Sequence, residues 1–201
     1  MWLAEPVPCY VWDMRIDPDI RKCVAFVGVE AGGRFLPTGT GFFCSFKYSD
    51  DVSFHFLVTA AHVLDQIKAD TFSIRLNRRD GSAATETLDR RRAIKHTVLA
   101  NDVALVPVSL DVTVYDVLVY ELSREKLAKR RQTFQDVGLG DEVCAIGLYT
   151  SHHGLTKNIP VVRIGNLAAM PEEPLRTPKG YAAAYLVELR TIAGLSGSPV
   201  F

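Results

Sequence analysis

The sequence has no net charge, no C-x-x-C pair and no apolar run near the roughly 18 residues of a membrane-spanning helix. Lys plus Arg and Asp plus Glu both number 23, so no electrostatic argument favours nucleic acid or an anionic membrane as a partner. The basic runs Arg90-Arg91-Arg92 and Arg130-Arg131 sit beside acidic neighbours and read as solvated faces. The opening Met1-Trp2-Leu3-Ala4-Glu5-Pro6 has neither a basic start nor the apolar stretch of a signal peptide. Cys9, Cys23, Cys44 and Cys144 are widely scattered. They read as buried thiols in a reducing compartment rather than a disulfide framework, which makes the cytoplasm the expected location. Repeats, low-complexity segments and Gly/Ser linkers are also missing.

What is present is a chain of 201 residues, 48% of them hydrophobic, enough for one large all-β domain or two small halves sharing a cleft. Short apolar runs alternate with turn residues along most of it, the pattern of a barrel or sandwich. Strands are expected at residues 23–29, 39–46, 54–59, 71–76 and 102–108, and again at 142–146, 160–164, 183–189 and 198–201. One helix is expected between about Leu122 and Gln132, where Leu127 and Ala128 stand among Glu125, Lys126, Lys129 and Arg130. This divides the chain into a lead segment (1–21), a first β half (22–120), a connector (121–136) and a second β half (137–201).

Acyl transfer by serine needs an exposed hydroxyl, an imidazole to take its proton, a carboxylate to hold the imidazole, and backbone amides for the oxyanion. Gly194-Leu195-Ser196-Gly197-Ser198-Pro199 offers the hydroxyl of Ser196 on a glycine-flanked turn, with the amides of Gly194 and Ser196 for the oxyanion. Read alone, it is equally a plain turn before a strand. In Thr59-Ala60-Ala61-His62-Val63 the small alanines let the chain pack closely beneath His62. A lone histidine after a strand is more often structural. Asp102 heads an apolar strand, where an unpaired carboxylate is costly and a partner is therefore expected. The three residues gain force only together.

Gly39-Thr40-Gly41-Phe42, Thr59-Ala60-Ala61-His62, Asp102-Val103-Ala104-Leu105 and Gly194–Pro199 resemble, in order, the landmark motifs of trypsin-like serine peptidases. The spacings, 40 residues from His62 to Asp102 and 94 from Asp102 to Ser196, lie close to the chymotrypsin template's about 45 and about 93. Leu139-Gly140-Asp141-Glu142-Val143-Cys144-Ala145-Ile146-Gly147 resembles the opening of the second barrel in the bacterial HtrA-like branch. The resemblance covers residues 22 to 201. It implies an all-β fold of two antiparallel barrels with a helical connector, and a peptidase acting on polypeptides through His62, Asp102 and Ser196. It implies no metal and no organic cofactor.

Departures from the secreted relatives are informative. Val63 stands where they carry a cysteine, which leaves Cys44 without its usual partner. Leu195 replaces the aspartate that pairs with a newly cut N-terminus, so no proteolytic activation is expected. The resemblance also implies further strands beyond Phe201, so the second barrel is expected to be incomplete and additional domains can follow. Thr191, Ile192 and Ala193 would line the remaining wall of the specificity pocket and suit a small or apolar side chain.

His152-His153 lacks acidic or cysteine ligands at metal spacing and reads as a loop pair. His55 and His96 read as structural or exposed. Cys44 and Cys144 sit in apolar strands without a basic neighbour, which argues against a cysteine nucleophile. An α/β-hydrolase would need a G-x-S-x-G elbow and a histidine last in the order, and neither is present. The rival within the same fold is a catalytically silent binding or scaffold module.

Overall fold

A computed structural model of the chain describes residues 16–122, 137–190 and 193–201. A 3-10 turn, Pro18–Cys23, leads in, with Asp17 capping it by accepting a hydrogen bond from Asp19 N at 2.9 Å. The first half is one sheet. Its strands are β1 (Val24–Ala31), β2 (Arg34–Lys47), β3 (Ser53–Thr59), β4 (Thr71–Asn77), β5 (Ala83–Asp89), β6 (Ile94–Lys95), β7 (Ala104–Pro107) and β8 (Tyr120–Leu122). The order across it is β5-β4-β1-β2-β3-β7-β6, with β8 beside β2.

The 14 residues of β2 serve three neighbours. Antiparallel pairing to β1 ends at Phe42 opposite Val24; beyond it, on Cys44 to Phe46, β8 adds a short parallel strand, and β3 covers the other edge. The edge strands β5 and β6 are not paired to one another, so strand pairing among the described residues does not close the expected barrel. They are consecutive in sequence, however, joined only by the 3-10 turn Arg90–Arg92 and Ala93. A connection of that length reaches at most about 3.5 Å per residue, so the sheet must curl until its ends nearly meet.

The curl encloses the main core: Val27, Phe43, Leu57, Phe72, Ile74, Leu76 and Val106, plugged by Val63 and Leu64 from the single-turn helix α1 (Ala61–Asp65). In β1 and β4 five successive residues are buried. Both faces of these strands are therefore covered, whereas alternation would leave one face wet. The second half supplies the outer cover. Cys23, Val24, Cys144 and Ile146 form a smaller cluster between the halves, with Ile16, Ile20, Phe42 and Val162 packed against it.

The second half contains β9 (Glu142–Gly147), β10 (Val161–Ala169) and β13 (Leu186–Leu189) in the order β13-β10-β9, and a hairpin of β11 (Leu175–Thr177) and β12 (Gly180–Ala182). Pro199 to Phe201 run antiparallel to β9: Cys144 N donates to Phe201 O at 2.8 Å and Phe201 N to Cys144 O at 2.9 Å. The strand expected at 198–201 is thus a bridge at Val200 against Ala145 rather than an extended strand. The helix expected between about Leu122 and Gln132 lies, from residue 123 on, outside the described residues, and Leu122 itself ends β8.

Candidate active site

Three features of the sequence bring His62 to Asp102. The apolar strand β3 ends at Thr59; Ala60 and Ala61 carry the chain without bulk into α1; and the turn that opens β7 presents Asp102. Ala61 N donates to the Asp102 carbonyl at 3.2 Å, so the two segments are tied by backbone before any side chain acts. Asp102 then takes His62 from two directions. Oδ1 accepts from the His62 backbone N–H at 2.9 Å, and Oδ2 accepts from ring Nδ1. A carboxylate can only accept, so Nδ1 carries the proton and Nε2 is left as the acceptor.

Asp102 also feels a cation from the other half. Lys179, in the turn of the β11–β12 hairpin, places Nζ 3.5 Å from Oδ1. Desolvation is the largest influence on the Asp102 carboxyl and pushes its pKa up. The hydrogen bonds from the His62 ring and amide, with the charges of His62 and Lys179, outweigh it and hold the group below the usual carboxylate range.

Ser196 lies exposed on the turn expected for a nucleophile. Gly194 at φ +105° and Gly197 at φ +86° adopt backbone conformations that a side chain would strain. A Cβ on Gly197 would in addition stand 2.1 Å from the Thr40 carbonyl oxygen. The turn is fastened to β2, where Thr40 N donates to Ser196 O at 2.9 Å and Thr40 Oγ1 to Gly194 O at 2.8 Å. Val63, one residue beyond His62, packs its methyls against Gly39, one residue before Thr40. Helix α1 and the Ser196 turn therefore meet on the same stretch of β2. Among the described residues, Ser196 Oγ makes no hydrogen bond to His62, and the amides of Gly194 and Ser196 donate none.

Other candidates fall elsewhere. Ala193 is exposed, and its carbonyl accepts from Thr150 N at 3.3 Å; Thr191 and Ile192 lie outside the described residues. His152 ends the 3-10 turn Thr150–His152, and the His153 carbonyl accepts from Ile159 N at 3.2 Å. Among the described residues no group of three or more His, Cys, Asp and Glu could hold a metal ion, and no helix is long and apolar enough to cross a membrane. Cys23, Cys44 and Cys144 are buried free thiols, with desolvation the leading cause that pushes Cys23 up to about 12. A surface depression bordered by Phe54, His55, Ile94 and Leu110 contains none of His62, Asp102 and Ser196.

Two features of the site escaped the sequence. Thr40 was legible only as part of a motif, although a hydroxyl residue between two glycines at a strand position enclosed by the fold is itself a signal. Lys179 carried no signal, because nothing local links a hairpin turn to an aspartate earlier in the chain.

A family model described as trypsin-like peptidase domain matches residues 39–201. Among curated proteins no relative matches the chain. Solved structures with the same fold include the apo protease domain of MamO from Magnetospirillum magneticum, 18% identical, TM-score 0.52, covering 91% of this chain and 79% of that one. Human heparin binding protein is another, 15% identical, TM-score 0.50, covering 92% of this chain and 77% of that one.

Proposed function

This chain belongs to the trypsin-like peptidase domain family, and from that premise we propose that it is a serine endopeptidase with Ser196 as nucleophile. The observation that carries the reading is the grip of Asp102 on both the ring and the backbone amide of His62. With Nδ1 protonated and bound, Nε2 is the free base. It takes the Ser196 proton as Oγ attacks a peptide carbonyl, then gives it to the departing amine. Asp102 stabilises the imidazolium formed between those steps. The amides of Gly194 and Ser196 receive the negative oxygen of the tetrahedral intermediate. Water repeats the sequence on the acyl-enzyme and releases the second product.

The residues 139–147 resemble the HtrA-like branch, and we assign the chain's character to that branch on this motif. Polypeptide is the substrate class, and no nucleic acid or membrane partner is invoked. The four cysteines support a reducing, cytoplasmic setting. A small or apolar residue at the cleavage position is the specificity we infer from Ala193 and its neighbours Thr191 and Ile192.

A fluorophosphonate probe tests the reading directly. Covalent labelling of Ser196 in the wild type, lost in Ser196→Ala, is the expected result. The same substitution should lower peptide turnover by about six orders of magnitude, because triad members act as a unit. The rival reading, a silent binding module on the same fold, is favoured by the missing hydrogen bond between Ser196 Oγ and His62. Active sites without substrate often show such looseness, and a folded wild type that never labels would decide for the rival.

A further inference from the structure

An oxyanion hole requires backbone amides pinned in one direction, and in this chain position 195 holds leucine, which cannot form a charge pair to pin them. The structure shows what holds the turn instead. Four consecutive carbonyls are each engaged. That of Ala193 accepts from Thr150 N at 3.3 Å, Gly194 from Thr40 Oγ1 at 2.8 Å, Leu195 from Ser198 N at 2.9 Å, and Ser196 from Thr40 N at 2.9 Å. In a trans peptide the N–H points opposite to the C=O of the same plane. Holding the Ala193 and Leu195 carbonyls therefore turns the amides of Gly194 and Ser196 the other way. The planes between and after them are fixed by Thr40 alone.

Thr40 is fully buried and spends every polar atom on this task. Its hydroxyl donates to Gly194 O and accepts from Leu148 N at 2.8 Å, and its carbonyl accepts from Thr59 Oγ1 at 2.7 Å. The fit is tight on the remaining sides. A Cβ on Gly147 would lie 2.7 Å from Thr40 Oγ1, and one on Gly194 would lie 2.9 Å from Leu148 Cγ. One hydroxyl thus joins β2, the end of β9 and the Ser196 turn.

We propose that Thr40 is the positioning residue of the nucleophile turn: its hydroxyl, by holding the Gly194 carbonyl, locks the peptide plane that lies between the two oxyanion-facing planes, and so keeps the Gly194 and Ser196 amides from swinging apart without a charge pair at position 195. The proposal rests on the serine-peptidase reading for its catalytic consequence, but not for its structural one. Thr40 touches no substrate and acts only through the turn. A neutral hydroxyl is present from the moment of folding, so the turn is set without cleavage of the chain.

The experiment compares wild type, Thr40→Val, Thr40→Ser and Arg75→Met. Arg75→Met removes a different buried contact between the halves, far from the turn in bonding. Read-outs are the second-order rate of fluorophosphonate labelling, kcat and KM on a peptide, melting temperature, and hydrogen exchange over residues 193–201. Valine keeps the shape and deletes the hydroxyl. It should label about 100-fold more slowly, the scale expected when oxyanion donors shift by about 1 Å. The loss should fall in kcat with KM little changed. Serine should recover labelling to within about threefold, and Arg75→Met should lower the melting temperature while labelling as wild type. Wild-type labelling in Thr40→Val, or an equal fall in Arg75→Met, overturns the proposal. If Thr40→Val does not fold, Thr40→Cys, a weak donor of similar size, is judged by the same criteria. If the wild type itself never labels, the peptidase reading fails and hydrogen exchange decides. Faster exchange at 194–198 in valine than in serine supports Thr40 as the clasp, and identical exchange removes it.

Discussion

Arg75 and Asn158 hold each other reciprocally: Arg75 Nη1 donates to Asn158 Oδ1 at 3.1 Å, and Asn158 Nδ2 donates to the Arg75 carbonyl at 2.6 Å. The same guanidinium reaches the carbonyls of Gly154 at 3.1 Å and Leu155 at 2.8 Å, so β4 of the first half anchors the loop between β9 and β10 of the second. Gly154, at φ +91°, makes the loop's approach feasible, since a Cβ there would stand 1.9 Å from the Lys157 carbonyl oxygen. Burial pulls the Arg75 pKa down, while both Nη atoms keep polar partners.

Arg75→Met should therefore leave several buried oxygens unpartnered and destabilise the fold by about 2 kcal/mol. Urea unfolding of the two proteins checks this; equal midpoints would mean that the loop is anchored otherwise.

Asp102→Asn should keep the fold and lose the chemistry. An amide can donate as well as accept, so it no longer dictates that Nδ1 carries the proton. On the serine-peptidase reading, fluorophosphonate labelling should fall by about 10⁴-fold, the scale set by the Ser-His-Asp template. A fall of less than about tenfold would demote Asp102 to a mere cap of α1.

The Asp102 carboxyl lies below its ordinary 3.8 in the folded state. A depressed folded pKa adds stability above the unfolded value, and that stability is lost as pH falls through the folded value. Melting temperatures of wild type and Asp102→Asn should therefore differ by a constant amount at neutral pH and converge only below about 3.8. Convergence already near pH 6 would contradict this assignment.

Cys23 shows the opposite sign. Its folded pKa is raised from 9.0 to about 12, so burial of the neutral thiol contributes stability below pH 9.0 that is lost as pH rises towards 12. Alkaline melts of Cys23→Ala and wild type should draw together across that window. At pH 8, Cys23, Cys44 and Cys144 should react with a thiol reagent only on unfolding, and adding a reductant should leave the melting temperature unchanged.

Gly197→Ala should be the most damaging single-methyl change at the site. The new Cβ meets the Thr40 carbonyl at 2.1 Å and Thr59 Oγ1 at 2.5 Å, on a residue already at φ +86°. A loss of at least about 2 kcal/mol, with labelling below detection, is expected. Normal labelling would show that the turn has a second competent arrangement.

The apolar strands and the ordered motifs were readable because each is local. β1 carries the apolar run that a covered strand demands, and β3 runs apolar from Phe56 to Val58. β4 alternates apolar Phe72, Ile74 and Leu76 with polar Ser73 and Arg75, which predicts a half-buried strand where the fold covers both faces. The bounds of all three lie within three residues of those expected. β5, Ala-Ala-Thr-Glu-Thr-Leu-Asp, was not readable, since an edge strand paired on one side needs little apolar surface. The five-residue α1 was missed because a single turn shows no helical period, and Ala60 makes no side-chain cap that would announce it. His62 and Asp102 could be named from their motifs, while their mutual geometry depends on a backbone bond from Ala61 to Asp102 that no motif encodes.

The bond between Thr40 and Gly194 spans 154 residues of chain. During synthesis at about 5–20 residues per second, β2 and the His62–Asp102 pair can form long before the turn that answers them exists. A nascent chain carrying only the His62–Asp102 pair lacks Ser196 and the amides of Gly194 and Ser196, so the proposed chemistry cannot begin on it. Assembly of the Ser196 turn onto β2 is thereby deferred to one of the latest contacts to close, and whatever depends on that turn waits for it.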